Sequence, residues 1–212
     1  MVAALVPVKN LDFAKSRLAS ILSTVERKKM VSVMLETVLS AAFKCPEITE
    51  VFIVADRYFT GVGGTTIIVE ESNRGYNEAI TAALDNDRLA NNDAMIIIPC
   101  DLPLIRAEDL GTFIKGFKRN GIRIAPARDE EGTNALLLSP PHIMKTQFGK
   151  GSFLKHRQEA KRVTSDVAIV SIPGLAFDID KPQDLIDFCK DLSDTATCKF
   201  VQESGILNRL LT

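Results

Sequence analysis

Two aspartate-bearing segments stand out in a chain of 212 residues. Pro99-Cys100-Asp101-Leu102-Pro103 follows at once on the apolar run from Ala94 to Ile98. Phe177-Asp178-Ile179-Asp180-Lys181-Pro182 closes a second apolar stretch. A carboxylate just past a buried strand is poorly placed for packing and well placed to hold a hard cation such as Mg²⁺. In a strand, alternate aspartates share a face, so Asp178 and Asp180 can complete a metal site with Asp101. Each acid also has a plainer use. Asp101 can cap the following turn, and Asp180 can be the N-cap of a helix that opens at Lys181-Pro182. If capping claims one of the pair, Asp178 is the one left for metal.

Four further segments could bind a ligand. Phe148-Gly149-Lys150-Gly151-Ser152-Phe153 opens a helical pattern. Its glycines allow close backbone approach, and free amides at a helix start attract negative charge. The alternative is a glycine turn with Ser152 as N-cap. Lys9, Lys15 and Arg17 crowd the stretch after the first strand and can grip a polyphosphate; a solvated loop has the same composition. Glu131-Gly132-Thr133-Asn134 offers short polar donors at a turn before an apolar strand. Glu70 to Asn77 is polar and contains Asn73, Gly75 and Asn77, which suits reading a base edge or simply connecting two elements. His142 and His156 stand alone, so each reads as a surface or packing residue, although His156 lies one turn beyond Gly151-Ser152.

Several chemistries are excluded. There is no G-x-S-x-G elbow, no H-E-x-x-H and no Walker A spacing. Gly61-Val62-Gly63 precedes a strand rather than a helix, which discards a dinucleotide fingerprint. The formal net charge of −1 argues against a nucleic-acid binder that relies on a basic face. Cys45, Cys100, Cys189 and Cys198 form no metal or haem pattern, and they read as reduced thiols of a cytoplasmic protein. No apolar stretch nears the roughly 20 residues of a membrane span, and no signal peptide opens the chain.

These segments must be positioned by a framework of short apolar runs alternating with amphipathic stretches. Val2–Val8, Glu50–Ala55, Thr66–Glu70, Ala94–Ile98, Ile122–Pro126, Ala135–Leu138 and Val167–Ile172 read as strands. Ala94–Ile98 is apolar enough to be central in a parallel sheet. Helices are predicted from a capping box at Ser23 to about Phe43, then over Tyr76–Leu84, Arg106–Arg119, Gly151–Lys161, Lys181–Leu192 and Glu203–Leu211. Asn120-Gly121 is the expected C-cap of the third, and 191–199 is the most linker-like segment. The alternation predicts an α/β fold with right-handed crossovers and a mainly parallel sheet. A single domain over 1–212 is expected, with about 193–212 as a C-terminal extension. Its apolar stripe suits packing on the domain or on the partner of a homodimer.

In the order Pro7-Val8-Lys9…Ala14-Lys-Ser-Arg-Leu18, Pro99-Cys-Asp-Leu-Pro-Leu104, Gly132-Thr-Asn-Ala-Leu-Leu137, Phe148-Gly-Lys-Gly-Ser-Phe153…His156 and Phe177-Asp-Ile-Asp-Lys-Pro-Gln-Asp-Leu185, the chain resembles the 2-phospho-L-lactate guanylyltransferase family of coenzyme F-420 biosynthesis. The likeness runs from position 6 to about 188. The wider superfamily is the GT-A-like, nucleotide-diphospho-sugar transferase type of nucleotidyltransferase. Its usual glycine-rich opening loop is missing here, which weighs against molybdenum-cofactor or sugar-nucleotide activity. A non-catalytic nucleotide-binding protein is the remaining alternative, and the presence of the acids weighs against it.

The resemblance implies a three-layer α/β/α fold with a mixed, mainly parallel sheet. It implies transfer of GMP from GTP to the phosphate of 2-phospho-L-lactate, or of phosphoenolpyruvate, with release of pyrophosphate. Asp101, Asp178 and Asp180 would hold Mg²⁺. Asp101, Lys15 and Arg17 would be catalytic, the two cations lying at the triphosphate. Thr133, Asn134, Gly149, Gly151 and Ser152 would take the acceptor acid. Pro7, Val8, Lys9, Asn73, Gly75 and Asn77 would face the nucleotide.

Overall fold

The computed structural model describes residues 1–9, 14–71, 75–190 and 194–210. Seven strands form one sheet: β1 (Val2–Val8), β2 (Ile48–Asp56), β3 (Thr66–Glu70), β4 (Ala94–Ile97), β5 (Gly121–Pro126), β6 (Thr133–Leu138) and β7 (Asp166–Ile169). Their order across the sheet is β3-β2-β1-β4-β6-β5-β7. All pairings are parallel except the two that β6 makes, with β4 and with β5. One reversed strand therefore sits inside six that share a direction. As its composition predicted, the Ala94 run is central, but it lies where the parallel half meets the reversed strand.

β1 has no exposed residue, because helices cover both faces of the sheet. Its alternate side chains divide between two cores. Val2, Ala4, Val6 and Val8 face a core with Leu35, Val38 and Leu39 of α1 (Thr24–Lys44) and Leu110 and Phe113 of α4 (Ala107–Ile114). Ala3 and Leu5 face the other, with Ala79, Ile80 and Ala83 of α2 (Tyr76–Ala83) and Phe153 and Ala160 of α5 (Ser152–Val163). The result is three layers, α/β/α. Phe52 and Phe113 are fully buried, and truncating either to Ala is worth about 3–5 kcal/mol.

A third apolar cluster joins Met30 and Met34 of α1 to Leu185 and Phe188 of α7 (Pro182–Lys190), Val201 of α8 (Ala196–Glu203) and Ile206 of α9 (Ile206–Leu210). The terminal apolar stripe thus packs on the chain's own helices. Ser23 and Glu26 form the expected capping box on α1, and Arg209 pairs with Glu26 to fasten the far end of the chain there.

Several expected boundaries move. α4 stops at Ile114, five residues early, because Gly116 turns left-handed at φ 71° and a turn carries the chain to β5. Asn120 is left-handed too, at φ 62°, but in the turn that enters β5 rather than as a helix cap. β7 ends at Ile169, and Pro173–Ala176 forms a short helix, α6, after it. Two short helices replace the single terminal one: Thr195 caps α8 by accepting from the Cys198 amide, so helix starts inside the stretch expected to be a linker. α3 (Asp87–Ala90), capped by Asn86, was not anticipated.

Candidate active site

The carboxyl ends of the parallel strands form the rim of a cavity of about 1190 Å³. Reversal of β6 brings its amino end, Thr133 and Asn134, to the same rim, with Thr133 beside Pro126 of β5. Asp101 therefore arrives from the end of β4 and Asn134 from the start of the neighbouring strand. Both line the cavity.

Residues 177–180 form no strand. The Ile179 amide donates to the Asp101 carbonyl (3.4 Å), which ties the two acidic segments together. One carboxylate oxygen from each of Asp101, Asp178 and Asp180 lies within 4.8 Å of the others. Asp184, the third residue of α7, accepts from the amides of Asp180 (3.0 Å) and Lys181 (2.7 Å) at its Oδ2, and the Asp180 carboxylate bonds Lys15 and Arg17 instead of serving as a cap. The Asp180 side chain is thereby left to face the cavity.

Lys15 reaches into this group. Its Nζ lies 2.5 Å from Asp101 Oδ2 and 2.6 Å from Asp180 Oδ1. The backbone of Lys15 is left-handed (φ 51°), a conformation that a lysine adopts only when its surroundings hold it there. Burial opposes its charge, but Asp101 and Asp180 outweigh burial and raise the ammonium pKa above its usual value. Burial likewise opposes the charge of Asp180, and Lys15, Arg17 and Lys181 outweigh it and lower that pKa. Asp178 gains less. Burial, reinforced by Asp101, pushes its carboxyl up to about 6, although Asn134 donates to it at 3.1 Å. Arg17, largely exposed, touches Asp180 at 3.3 Å.

Asp101 Oδ1 is buried and accepts no hydrogen bond among the described residues. An orphaned carboxylate oxygen costs free energy unless something positive meets it. Together with two neighbouring carboxylates, it makes an all-oxygen donor set that fits a hard divalent cation.

The glycine segment is held differently. Asn77 takes the Phe148 backbone in both directions: its Oδ1 accepts from the Phe148 amide (2.7 Å) and its Nδ2 donates to the Phe148 carbonyl (3.0 Å). Gly149 and Gly151 have φ of 117° and 68°, where a side chain would be strained even though nothing blocks the space. Gly151 is the N-cap of α5, so Ser152 is its first helical residue and not the cap. Ser152 is buried and lines the cavity with Gly149, Gly151 and Thr133.

Most expected site residues therefore converge. Pro7, Lys9, Gly75 and Asn77 line the cavity as well. Val8 instead points into the core, and Asn73 lies outside the described residues. Four further residues take part. Asp184 was legible as an acid near the start of a helix after Asp180-Lys181-Pro182. Arg128 is held by Asp184 (3.2 Å) and stacks on Phe177 (4.6 Å), which no local pattern signals. Tyr76 lines the cavity with a buried hydroxyl that has no partner among the described residues, and burial raises its pKa. His156, expected to be a surface or packing residue, is fully buried and bonded at both ring nitrogens. Cys100 also lines the cavity, but burial pushes its thiol up to about 12, so it is no thiolate nucleophile.

Comparison with known proteins agrees with this architecture. A solved protein from Desulfovibrio desulfuricans G20, grouped by name with the nucleotide-diphospho-sugar transferases, superposes with a TM-score of 0.74 at 13% identity, covering 99% of this chain and 97% of its own. A phosphoenolpyruvate guanylyltransferase from Sphaerobacter thermophilus is 33% identical over 187 residues, 86% of this chain and 89% of that protein. A 2-phospho-L-lactate guanylyltransferase from a Methanocaldococcus species is 30% identical over 95% of this chain and 87% of its own length. The family model described as "Guanylyl transferase CofC like" matches residues 2–209. The chain belongs to the CofC-like guanylyl transferase family.

Proposed function

We propose that the protein transfers GMP from GTP to the phosphate of a small phosphorylated carboxylic acid, 2-phospho-L-lactate or phosphoenolpyruvate, releasing pyrophosphate. The product would serve coenzyme F-420 biosynthesis. One observation carries the reading: a single cavity holds a three-carboxylate cluster with a buried lysine, and also a glycine cradle flanked by buried hydroxyls.

The chemistry needs both. An acceptor phosphate oxygen attacks the α-phosphorus of GTP, forming the new P–O bond as the bond to pyrophosphate breaks. Both reactants are anions, so the site must offset charge and hold an in-line arrangement rather than remove a proton. Lys15 and Arg17 supply positive charge toward the triphosphate. The amides of 149–151 and the hydroxyls of Thr133 and Ser152 suit the carboxylate and phosphate of the acceptor. Asp101, Asp178 and Asp180 would hold Mg²⁺, which when bound neutralises phosphate charge and stabilises the leaving pyrophosphate. Pro7, Lys9, Gly75 and Asn77 belong to the nucleotide side in this reading.

All four cysteines are free, in keeping with a cytoplasmic setting, and among the described residues no helix is long and apolar enough to cross a membrane. Because the terminal stripe packs on the chain's own helices, a homodimer would use another surface. The test is pyrophosphate release with each of the four nucleoside triphosphates against both acids. Turnover with GTP and at least one of the acids is expected. Release that ignores the acid, or that favours CTP or a sugar phosphate, would move the protein to another branch of the fold.

A further inference from the structure

His156 lies on α5 with no exposed surface, one turn into the helix that the glycine cradle opens. The Gln147 amide donates to its Nε2 at 2.8 Å. A backbone amide can only donate, so Nε2 must carry a lone pair. The one proton of a neutral imidazole is then on Nδ1, which lies 2.9 Å from Thr133 Oγ1. Thr133 Oγ1 must accept that bond, and its own hydroxyl proton is left to point elsewhere. Among the described residues it has no other partner, and Thr133 lines the cavity beside Ser152. The Phe148 ring packs edge-on against the imidazole at 4.8 Å, which limits its rotation. Burial, with Lys155 adding to it, lowers the His156 pKa to about 4, so the ring is neutral near pH 7.

We infer that His156 is a positioning residue: as an Nδ1-protonated imidazole it forces the Thr133 hydroxyl to act as a hydrogen-bond donor to the anionic acceptor. The same ring fixes the Gln147 amide and so the entry to the cradle. This inference rests on the acceptor reading of the cavity. The geometry selects an acceptor that presents an anionic oxygen at Thr133 and disfavours one that presents a hydroxyl donor there.

The experiment has two arms. In the first, kinetics of the full chain are compared for Thr133→Val, His156→Gln and His156→Asn. Glutamine can accept from Gln147 but loses the donor to Thr133, whereas asparagine places its amide near Nδ1 and keeps that donor. Loss of one hydrogen bond to an anion is worth roughly tenfold or more, so Thr133→Val and His156→Gln should each raise the acceptor KM at least about tenfold. The KM for GTP should stay within about twofold, and the Thr133→Val/His156→Gln double variant should be no worse than either single. His156→Asn should recover most of the loss. In the second arm, ¹⁵N imidazole NMR reads the tautomer directly. The chain has only two histidines, so an exposed-site His142→Gln variant assigns the spectrum.

An Nδ1-protonated, Nε2-bare signature is expected. An Nε2-protonated ring overturns the inference. So does an unchanged acceptor KM in His156→Gln, an equal rise in both KM values, or failure of His156→Asn to recover function while Thr133→Val is impaired. If the wild-type chain turns over no acceptor at all, the proposed activity fails instead, and the tautomer still reports on the ring.

Discussion

In one cavity, Asp101 and Asp180 are held by the ammonium of Lys15, with Asp178 beside them on the Asn134 amide, while the segment 147–152 is held by the neutral side chains of Asn77 and His156. The acidic wall draws on three distant parts of the chain and leaves Asp101 Oδ1 without a partner among the described residues. The cradle closes its hydrogen bonds on itself: both functional groups of the Asn77 amide are used, and so are both nitrogens of His156. A cluster of like charges needs a cation to be complete, and the choice of cation changes it. A preorganised neutral pocket needs none. The two walls should therefore respond differently to charge, to metal and to pH.

The largest effect should come from Asp101→Asn. It removes charge from the group that also carries the orphaned oxygen, and turnover should fall by more than about a hundredfold with circular dichroism unchanged. Near-normal kcat at saturating Mg²⁺ would separate Asp101 from the reaction.

Lys15→Gln comes next and bears on stability as well as rate. Without Lys15, Asp101 and Asp180 lose their partner, and the metal-free protein should lose about 2–3 kcal/mol. Mg²⁺ should raise its melting temperature by more than it raises that of the wild type. An equal rise in both would mean that the lysine and the metal do not compete for the same carboxylates.

Ser152→Ala probes the other wall. Its hydroxyl is neutral and buried, so the acceptor KM should rise about five- to tenfold and the GTP KM by less. Equal changes would remove Ser152 from the acceptor side.

The last effect is a pH dependence. His156 has a pKa of about 4 in the folded chain against 6.5 when free, because burial disfavours its charge. As pH falls, the unfolded chain takes up the proton first, so stability declines from about pH 6.5 and levels off below about 4. His156→Gln should show a flatter melting profile across that window. Parallel profiles would mean that the imidazole is protonated in the native state.

The contrast between the walls also explains what the sequence could reveal. Asp101, Asp178 and Asp180 were legible because acids at the ends of apolar runs have few structural uses. Even so, it is Asp184, four residues on, that binds the amides just before α7, and only three-dimensional geometry settles which of two nearby acids turns inward. The cradle was legible through Gly149 and Gly151. Its supports were not: Asn77 acts across a separation of 71 residues, and His156 reaches nine back to Gln147 and 23 back to Thr133, none of which a local pattern encodes. All strands but β7 were read to within two residues, because the inner ones, buried on both faces, are unbroken apolar runs. α4 and the terminal helices were misjudged where single residues decide: Gly116 stops one helix, and Thr195 starts another.

The lone reversed strand has an evolutionary consequence. Asp101 hangs from the parallel half of the sheet, and Thr133 from β6, so in the proposed reading the two reactants are gripped by separately mutable supports. Changes at Thr133 and along α5, sparing Asn134, can retune which acid is accepted while leaving the carboxylate cluster in place. A lineage can therefore exchange one small acid for another while conserving its phosphorus chemistry.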